Sequence, residues 1–337
     1  MKKSLWAGKN GPLLIAEIGG NHEGNFTYAK KLVKLAIDSG VDVVKLQLYS
    51  GDMLVSPIES KERFKHFRKF ELTKKQHIYL ANLCRSSGVK YLASVWDLKM
   101  LDWIDRYLNF YKIGSGDLTA LPVIKEFVKR GKPIILSTGL SNLSEIKNTI
   151  KFIQKENKVY KSKNKLAILQ CTSSYPTIDE EVNLAVIETL KKSTNLTIGY
   201  SHHNTGSLAL LAAYTLGAEI LEFHFTDKRE GKKFRDHKIS LTNKETKILI
   251  KQILKLKKIF ENKIKKPTKN EIKSNNITSF RRAMYPIKDL KRGHKINKND
   301  LICLRPNHGV DARNFKKLIG KRILKNTKKL QRLKVNL

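Results

Sequence analysis

Leu13-Leu14-Ile15-Ala16-Glu17-Ile18-Gly19-Gly20-Asn21-His22-Glu23-Gly24 is a short apolar run that stops at an acid, paired glycines and polar side chains. Its length and bounding turn residues predict a buried strand over Leu13 to Ile18. An amphipathic stretch follows, Thr27 to Asp38, with Leu32, Leu35 and Ala36 at helical spacing and Ser39-Gly40 as the stop, where Gly supplies the left-handed residue that ends a helix. The same unit recurs along the chain. Further strands are predicted at Val43 to Leu48, Tyr91 to Ser94, Phe110 to Ile113, Pro133 to Leu136, Lys165 to Gln170, Thr197 to Gly199 and Ile220 to Phe223. Strands alternating with helices imply a parallel sheet, and eight such units close into a (β/α)8 TIM barrel more readily than into an open sheet.

The chain has 337 residues, 40% of them hydrophobic, enough for one large core and a small second one. The barrel domain is expected over 1–262, ending in a Lys-rich helix around Lys244 to Phe260. Residues 263–277 are polar, contain Pro267 and lack apolar periodicity, which reads as a linker. Residues 278–337 carry short runs, Ala283 to Ile287 and Leu301 to Leu304, between turns at Lys291-Arg292-Gly293 and Pro306-Asn307-His308-Gly309, the pattern of a small β-rich domain. The longest apolar stretch, Leu208 to Phe225, is broken by Thr215, Glu219 and Glu222, short of the roughly 18 apolar residues of a membrane span. The basic N-terminus has no apolar segment behind it to make a secretory signal, so a cytoplasmic location is expected. Cys84, Cys171 and Cys303 are odd in number and far apart, as in a reducing compartment, and form neither a disulfide framework nor a zinc knuckle.

A net charge of +37 raises the possibility of a basic nucleic-acid-binding protein. Only 14 of the 67 basic residues are Arg, however, and the Lys residues are spread through nearly every segment instead of forming one arm. That distribution argues against nucleic acid as a partner while leaving a positive field that steers small anions.

Nearly every predicted strand runs into chemistry at its C-terminal end, the end where barrel enzymes build their sites. Strand one gives Glu17; strand two gives Lys45 and Gln47, alternate residues on one face; strand three gives Ser94. Strand four leads to Lys112, Ser115 and Asp117, strand five to Ser137, and strand six to Cys171, Thr172 and Tyr175. Strands seven and eight give Ser201, His202, His203, Glu222 and His224. Lysines, serines and glycines converging on one mouth suit an anion with phosphate and carboxylate groups. His203 and His224, on adjacent strands, suit a divalent ion with open positions. Plainer readings stand beside these. Either lysine can be a structural ion pair with Glu17 or Glu222, and His202 competes with His203 as a ligand. Cys171 reads as a small buried filler, Asn21 and His22 as turn formers, and Trp96 as core or pocket lining.

In order along the chain, Ile15-Ala16-Glu17-Ile18-Gly19, Asn21-His22, Lys45-Leu46-Gln47, Tyr111-Lys112-Ile113, Ser115-Gly116, Ser137-Thr138-Gly139, Tyr175-Pro176, His203, Phe223-His224-Phe225-Thr226 and Arg305-Pro306 resemble the sialic acid synthase (N-acetylneuraminate synthase) family. The resemblance implies a TIM barrel followed by an antifreeze-like (β-clip) domain. The implied reaction condenses phosphoenolpyruvate with an N-acylmannosamine-type sugar to give a nine-carbon α-keto acid and phosphate. It implies that His203 and His224 bind a divalent metal (Mn or Mg, with Co a further option), and that Glu17 and Asp236 act at the reacting centre. Phosphoenolpyruvate would be held by Lys45, Ser94, Lys112, Ser115, Ser137, Thr172 and Ser201. The sugar would be held by Gln47, Asp117, Tyr175 and Arg305, the last reaching into the barrel of a partner subunit in a domain-swapped homodimer.

The first expectation for the product is N-acetylneuraminate. Departures from the family pattern keep legionaminic and pseudaminic acid synthases, acting on diacetamido-dideoxy sugars, as alternatives: Ala93-Ser94-Val95 stands where Ser-Thr-Pro is usual, Asp117 where the N-acetylneuraminate enzymes have Glu, Thr172 where Asn is frequent, and His202 where an Asp flanks the metal ligand. A metal-dependent sugar isomerase or aldolase on the same barrel is the alternative from another reaction class.

Overall fold

A computed structural model describes residues 4–335. The chain divides into two compact units, Met1–Glu261 and Asn262–Leu337. In the first, β1 (Leu13–Gly19), β2 (Val43–Leu48), β3 (Lys90–Val95), β4 (Tyr111–Ile113), β5 (Ile134–Ser137), β6 (Leu166–Cys171), β7 (Thr197–His202) and β8 (Ile220–His224) pair in sequence order. The parallel pairing of β8 with β1 closes the barrel. This is the TIM barrel that the strand–helix alternation predicts. The largest boundary difference is in β7, which continues through Tyr200, Ser201 and His202. A polar side chain pointing into a barrel leaves the backbone ladder intact, so polarity alone does not end a strand.

Alternation sorts the strand residues into two cores. Leu13, Ile15, Val43, Leu92, Phe110, Ile135, Ala167, Leu169 and Ile220 fill the barrel interior together with Trp6. Trp6 packs edge-on against Phe110 at 5.7 Å and donates its indole N–H to the Lys163 carbonyl at 2.7 Å. Leu14, Ala16, Ile18, Val44, Leu46 and Leu48, the alternate set, pack with the helices outside. The helices begin where the side chains cap them. Phe26–Asp38 starts at Asn25, whose side chain accepts from the Tyr28 N–H, and is followed by Gly40 at φ 90°. Leu143–Glu156 and Asn243–Ile259 each open with a reciprocal capping box, Asn142 with Glu145 and Thr242 with Glu245. Between β2 and its returning helix, Lys74–Ser86, the chain inserts two further helices, Gly51–Leu54 and Lys61–Phe70.

In the second unit, β9 (Ala283–Pro286), β10 (Leu301–Leu304) and β11 (Val310–Asp311) form an antiparallel sheet in the order β10-β9-β11. Met284, Leu290, Ile296, Val310, Leu318, Ile323 and Leu333 make its core. The stretch read as a linker, 263–277, contains the helix Lys269–Lys273 and the start of another, Asn276–Phe280. Thr268 and Glu271 cap the first of them reciprocally, so local capping supplies helix where no apolar stripe announces it. Among the described residues no helix is long and apolar enough to cross a membrane.

Candidate active site

The inward face of each strand changes from aliphatic to polar as it rises toward its C-terminal end. Ile15 is followed inward by Glu17, Val43 by Lys45 and Gln47, Leu92 by Ser94, Ile135 by Ser137, and Ile220 by Glu222 and His224. The register sets these residues side by side. Glu17 lies between Lys45 and His224, Ser94 between Gln47 and Lys112, and Ser201 between Cys171 and Glu222.

Two buried lysines and two buried glutamates form the centre. Lys45 Nζ is 2.5 Å from Glu17 Oε2, 3.3 Å from Ser94 Oγ and 3.9 Å from Glu222 Oε2. Lys112 Nζ donates to Ser137 Oγ at 2.7 Å and sits 3.6 Å from Glu222 Oε1, which also accepts from Ser201 Oγ at 3.0 Å. Burial by itself would raise Glu222, but the ammonium groups of Lys112 and Lys45 and the Ser201 hydroxyl outweigh it and hold the carboxyl at about 2. Glu17 goes the other way. Burial, assisted by the charge of Glu222, raises it despite the opposing pull of Lys45. Burial likewise lowers Lys112, only partly offset by Glu222, whereas at Lys45 the two carboxylates overcome burial and the ammonium form is favoured. Ser115 Oγ accepts from the Gly139 N–H at 3.0 Å and donates its own proton to Cys171 Sγ at 3.6 Å.

The histidines rim this centre on the β7–β8 side. His203 Nδ1 lies 2.7 Å from the Thr172 carbonyl. A carbonyl only accepts, so Nδ1 carries the proton and the Nε2 lone pair is left for another partner. The His203 and His224 ring centroids are 5.4 Å apart. His224 Nδ1 is buried without a hydrogen-bond partner, as is Glu17 Oε1. Asp236, buried in the short helix Asp236–Ile239, brings Oδ2 to 3.8 Å from His224 Nδ1. The Tyr175 ring lies tilted 4.2 Å from that of His203 and edge-on 5.9 Å from that of His224, and the Arg235 guanidinium lies 4.6 Å from the Tyr175 centroid. Two imidazoles and an unpartnered nitrogen fit a divalent ion that takes its other ligands from substrate and water. Among the described residues no group of three His, Cys, Asp or Glu side chains makes a closed site.

His202 takes no part. It faces outward, its Nε2 lies 2.9 Å from the Gly206 carbonyl and its Nδ1 3.3 Å from the Tyr200 hydroxyl, so both nitrogens are engaged in holding the loop. Thr172 is placed differently from the expectation of a side-chain contact to the anion. Its hydroxyl donates to the Glu181 carbonyl at 2.8 Å, and it serves the centre through the backbone carbonyl that fixes His203. Gln47 Nε2 and Glu17 Oε1 close around Gly19, where a Cβ would sit 3.3 and 3.1 Å from them. Asp117 follows β4 in the turn Ser115–Asp117. Burial raises its carboxyl, with a hydrogen bond from Trp96 and the charge of Lys112 opposing. Arg305 belongs to the second unit, where it is exposed just beyond β10.

Two residues at the centre, and one on its rim, were not among the predicted site residues. Glu222, read only as a structural ion-pair partner, touches both lysines and Ser201; its signal was its place two residues before His224 on the same inward face. Cys171, read as filler, lies with Sγ 3.7 Å from His203 Nδ1 and 3.6 Å from Ser115 Oγ. Arg235 enters from the loop after β8, where no strand period marks it.

The barrel mouth thus combines a buried lysine–glutamate centre, serine hydroxyls and a histidine rim on one TIM-barrel face. The NeuB family profile matches residues 32–265, and the chain belongs to the NeuB family. It is 36% identical to N,N'-diacetyllegionaminic acid synthase of Campylobacter jejuni over 330 residues, covering 94% of this chain and 97% of that protein. It is 31% identical to human N-acetylneuraminate-9-phosphate synthase over 278 residues, covering 78% and 74%. The crystal structure of N-acetylneuraminic acid synthetase from Leptospira borgpetersenii, in complex with citrate, superposes with a TM-score of 0.72 at 28% identity, over 80% of this chain and 92% of that one. Pseudaminic acid synthase of Campylobacter jejuni is a further relative, 28% identical over 329 residues that cover 94% of this chain and 93% of that protein.

Proposed function

We propose that the barrel condenses phosphoenolpyruvate with an N-acylated amino sugar, giving a nine-carbon α-keto acid and inorganic phosphate, and that the acceptor is a diacetamido sugar of the legionaminic acid type. The observation that carries the reaction is the paired ammonium groups of Lys45 and Lys112, buried on inward faces with hydroxyls from three strands around them and two imidazoles above. The choice of acceptor is supported by the 36% identity to a diacetyllegionaminic acid synthase across 97% of its length, and by Asp117, one methylene shorter than Glu, which leaves more room for a second acetamido group.

Lys45, Lys112, Ser94, Ser115, Ser137 and Ser201 hold the phosphate and carboxylate of phosphoenolpyruvate. A divalent ion (Mn, Mg or Co) held by His203 and His224 would polarise the sugar's open-chain aldehyde. The C3 carbon of phosphoenolpyruvate attacks the aldehyde carbon, water adds at C2, and collapse to the ketone releases phosphate. Glu17, raised by burial and beside the aldehyde end, exchanges the proton at the new hydroxyl. Asp236 and Tyr175 orient the histidine rim. In this reading the protein acts as a homodimer, with the exposed Arg305 of one copy completing the N-acyl subsite of the other.

The test is phosphate release from phosphoenolpyruvate with a panel of N-acylmannosamines and diacetamido sugars, with and without divalent ion, and with product masses recorded. The expected result is release only when both substrates and the ion are present, largest with a diacetamido acceptor, and lost in His203→Ala and His224→Ala proteins that remain folded. Full activity after chelation, or in either variant, would overturn the assignment of the histidines. Equal or greater turnover of N-acetylmannosamine would overturn the choice of acceptor.

A further inference from the structure

The inward series on β2 and β3 does not end at Gln47 and Ser94. Two residues on, in the same parity, come Tyr49 and Trp96, and the Trp96 N–H donates to the Leu48 carbonyl at 2.9 Å, continuing the ladder by one step. Their rings stack at 5.5 Å and 29°. Phe67, from the inserted helix Lys61–Phe70, meets both edge-on, at 5.2 Å from Tyr49 and 6.2 Å from Trp96. Trp96 and Phe67 are only half-buried, unlike the core rings of Phe110, Tyr111 and Phe223. An aromatic wall therefore stands directly above the reactive layer with part of its surface open.

We propose that this wall of Tyr49, Phe67 and Trp96 receives the deoxygenated end of the acceptor sugar, with the Asp117 carboxylate beside it taking a neighbouring N–H or hydroxyl. The inference rests on the function proposed above and names the part of the acceptor that the site selects. In a closed eight-strand barrel, β3 and β4 stand opposite β7 and β8. An aldehyde held at His203 and His224 thus directs the far end of the sugar chain toward Trp96 and Asp117. Aromatic faces gain from covering carbon and gain little from a hydroxyl, which they would strip of water. A carboxylate at the same place disfavours a phosphorylated end by charge repulsion.

The experiment measures kcat/KM with three acceptors that differ at the terminal carbon, methyl, hydroxymethyl and phosphorylated hydroxymethyl, for the unaltered protein, Trp96→Ala and Trp96→Phe. The unaltered protein should prefer the methyl acceptor by roughly ten- to a hundredfold, the range expected of an apolar pocket. Trp96→Ala should remove most of that preference through the acceptor KM, with the phosphoenolpyruvate KM unchanged, and Trp96→Phe should restore a good part of it. A preference for the hydroxymethyl or phosphorylated acceptor, or equal loss with all acceptors in Trp96→Ala, overturns the proposal while leaving the condensation intact. Absence of turnover with every acceptor overturns the proposed function itself, and this subsite with it.

Discussion

Glu222→Gln should weaken the empty protein and strengthen its grip on phosphate. The Glu222 carboxylate lies 3.6 Å from Lys112 Nζ and 3.9 Å from Lys45 Nζ, and all three groups are buried. At an effective dielectric of about 20 each contact is worth roughly 4 kcal/mol of attraction, against which stands the desolvation of the carboxylate. Holding that carboxyl at about 2 in place of its usual 4.5 corresponds to about 3 kcal/mol, in the range for breaking one partner of a buried pair. The folded value is depressed, so this stabilisation is complete above the unfolded value near 4.5 and is lost as pH falls toward 2. At pH 7 the variant should lose about 3 kcal/mol, on the order of 5–10 °C in Tm. Neutralising Glu222 also leaves the centre of Lys45, Lys112 and Glu17 with one more net positive charge, so an entering anion meets less repulsion. Phosphate and phosphoenolpyruvate should bind about tenfold or more tightly, and the Tm rise they produce should grow. Thermal unfolding with and without inorganic phosphate measures both effects. An unchanged Tm in the empty protein, or a smaller phosphate-induced rise, would refute the charge-centre account.

Gly139 is not in the left-handed region, yet a Cβ there would come 2.4 Å from Ser173 Oγ and 2.9 Å from Ser115 Oγ. Gly139→Ala should displace Ser115 and raise the phosphoenolpyruvate KM about tenfold with the sugar KM unchanged; steady-state kinetics that move both equally would count against Ser115 as an anion contact. His77 is buried with Nδ1 on the Tyr91 hydroxyl and Nε2 without a partner, and burial, with His22 nearby, lowers it from 6.5 to about 3. The unfolded chain therefore takes up this proton first, and stability should fall as pH drops below 6.5, by about 2 kcal/mol at pH 5 from this residue alone. Denaturant unfolding at pH 7 and pH 5 should show a shallower decline for His77→Gln than for the unaltered chain; parallel declines would place the acid sensitivity elsewhere.

The barrel was legible because each strand and each helix repeats a local pattern. Eight apolar runs of strand length, separated by amphipathic stretches with caps such as Asn142 and Thr242, leave few ways to bury every strand. The polar residues of the strands were legible for the same reason: Glu17, Ser94, Ser137 and His224 stand at or near the end of an apolar run, and Lys45 and Lys112 interrupt one. The short helix Lys269–Lys273 was missed because a capping box fixes it without an apolar stripe.

Linear order by itself determined the strands, their alternation and the inventory of groups at the barrel mouth, since period and parity are properties of neighbours along the chain. Only the tertiary structure decided which groups meet. It turned Glu222 from a partner in a plain ion pair into the carboxylate shared by both lysines, and it turned the Thr172 hydroxyl away while using the carbonyl to set the His203 tautomer. It also closed His202 into its own loop and set Tyr49 and Trp96 above the reactive layer. Those outcomes depend on barrel closure and strand register, which bring together residues far apart in sequence, and a one-residue change of register would turn each strand's side chains to the other face.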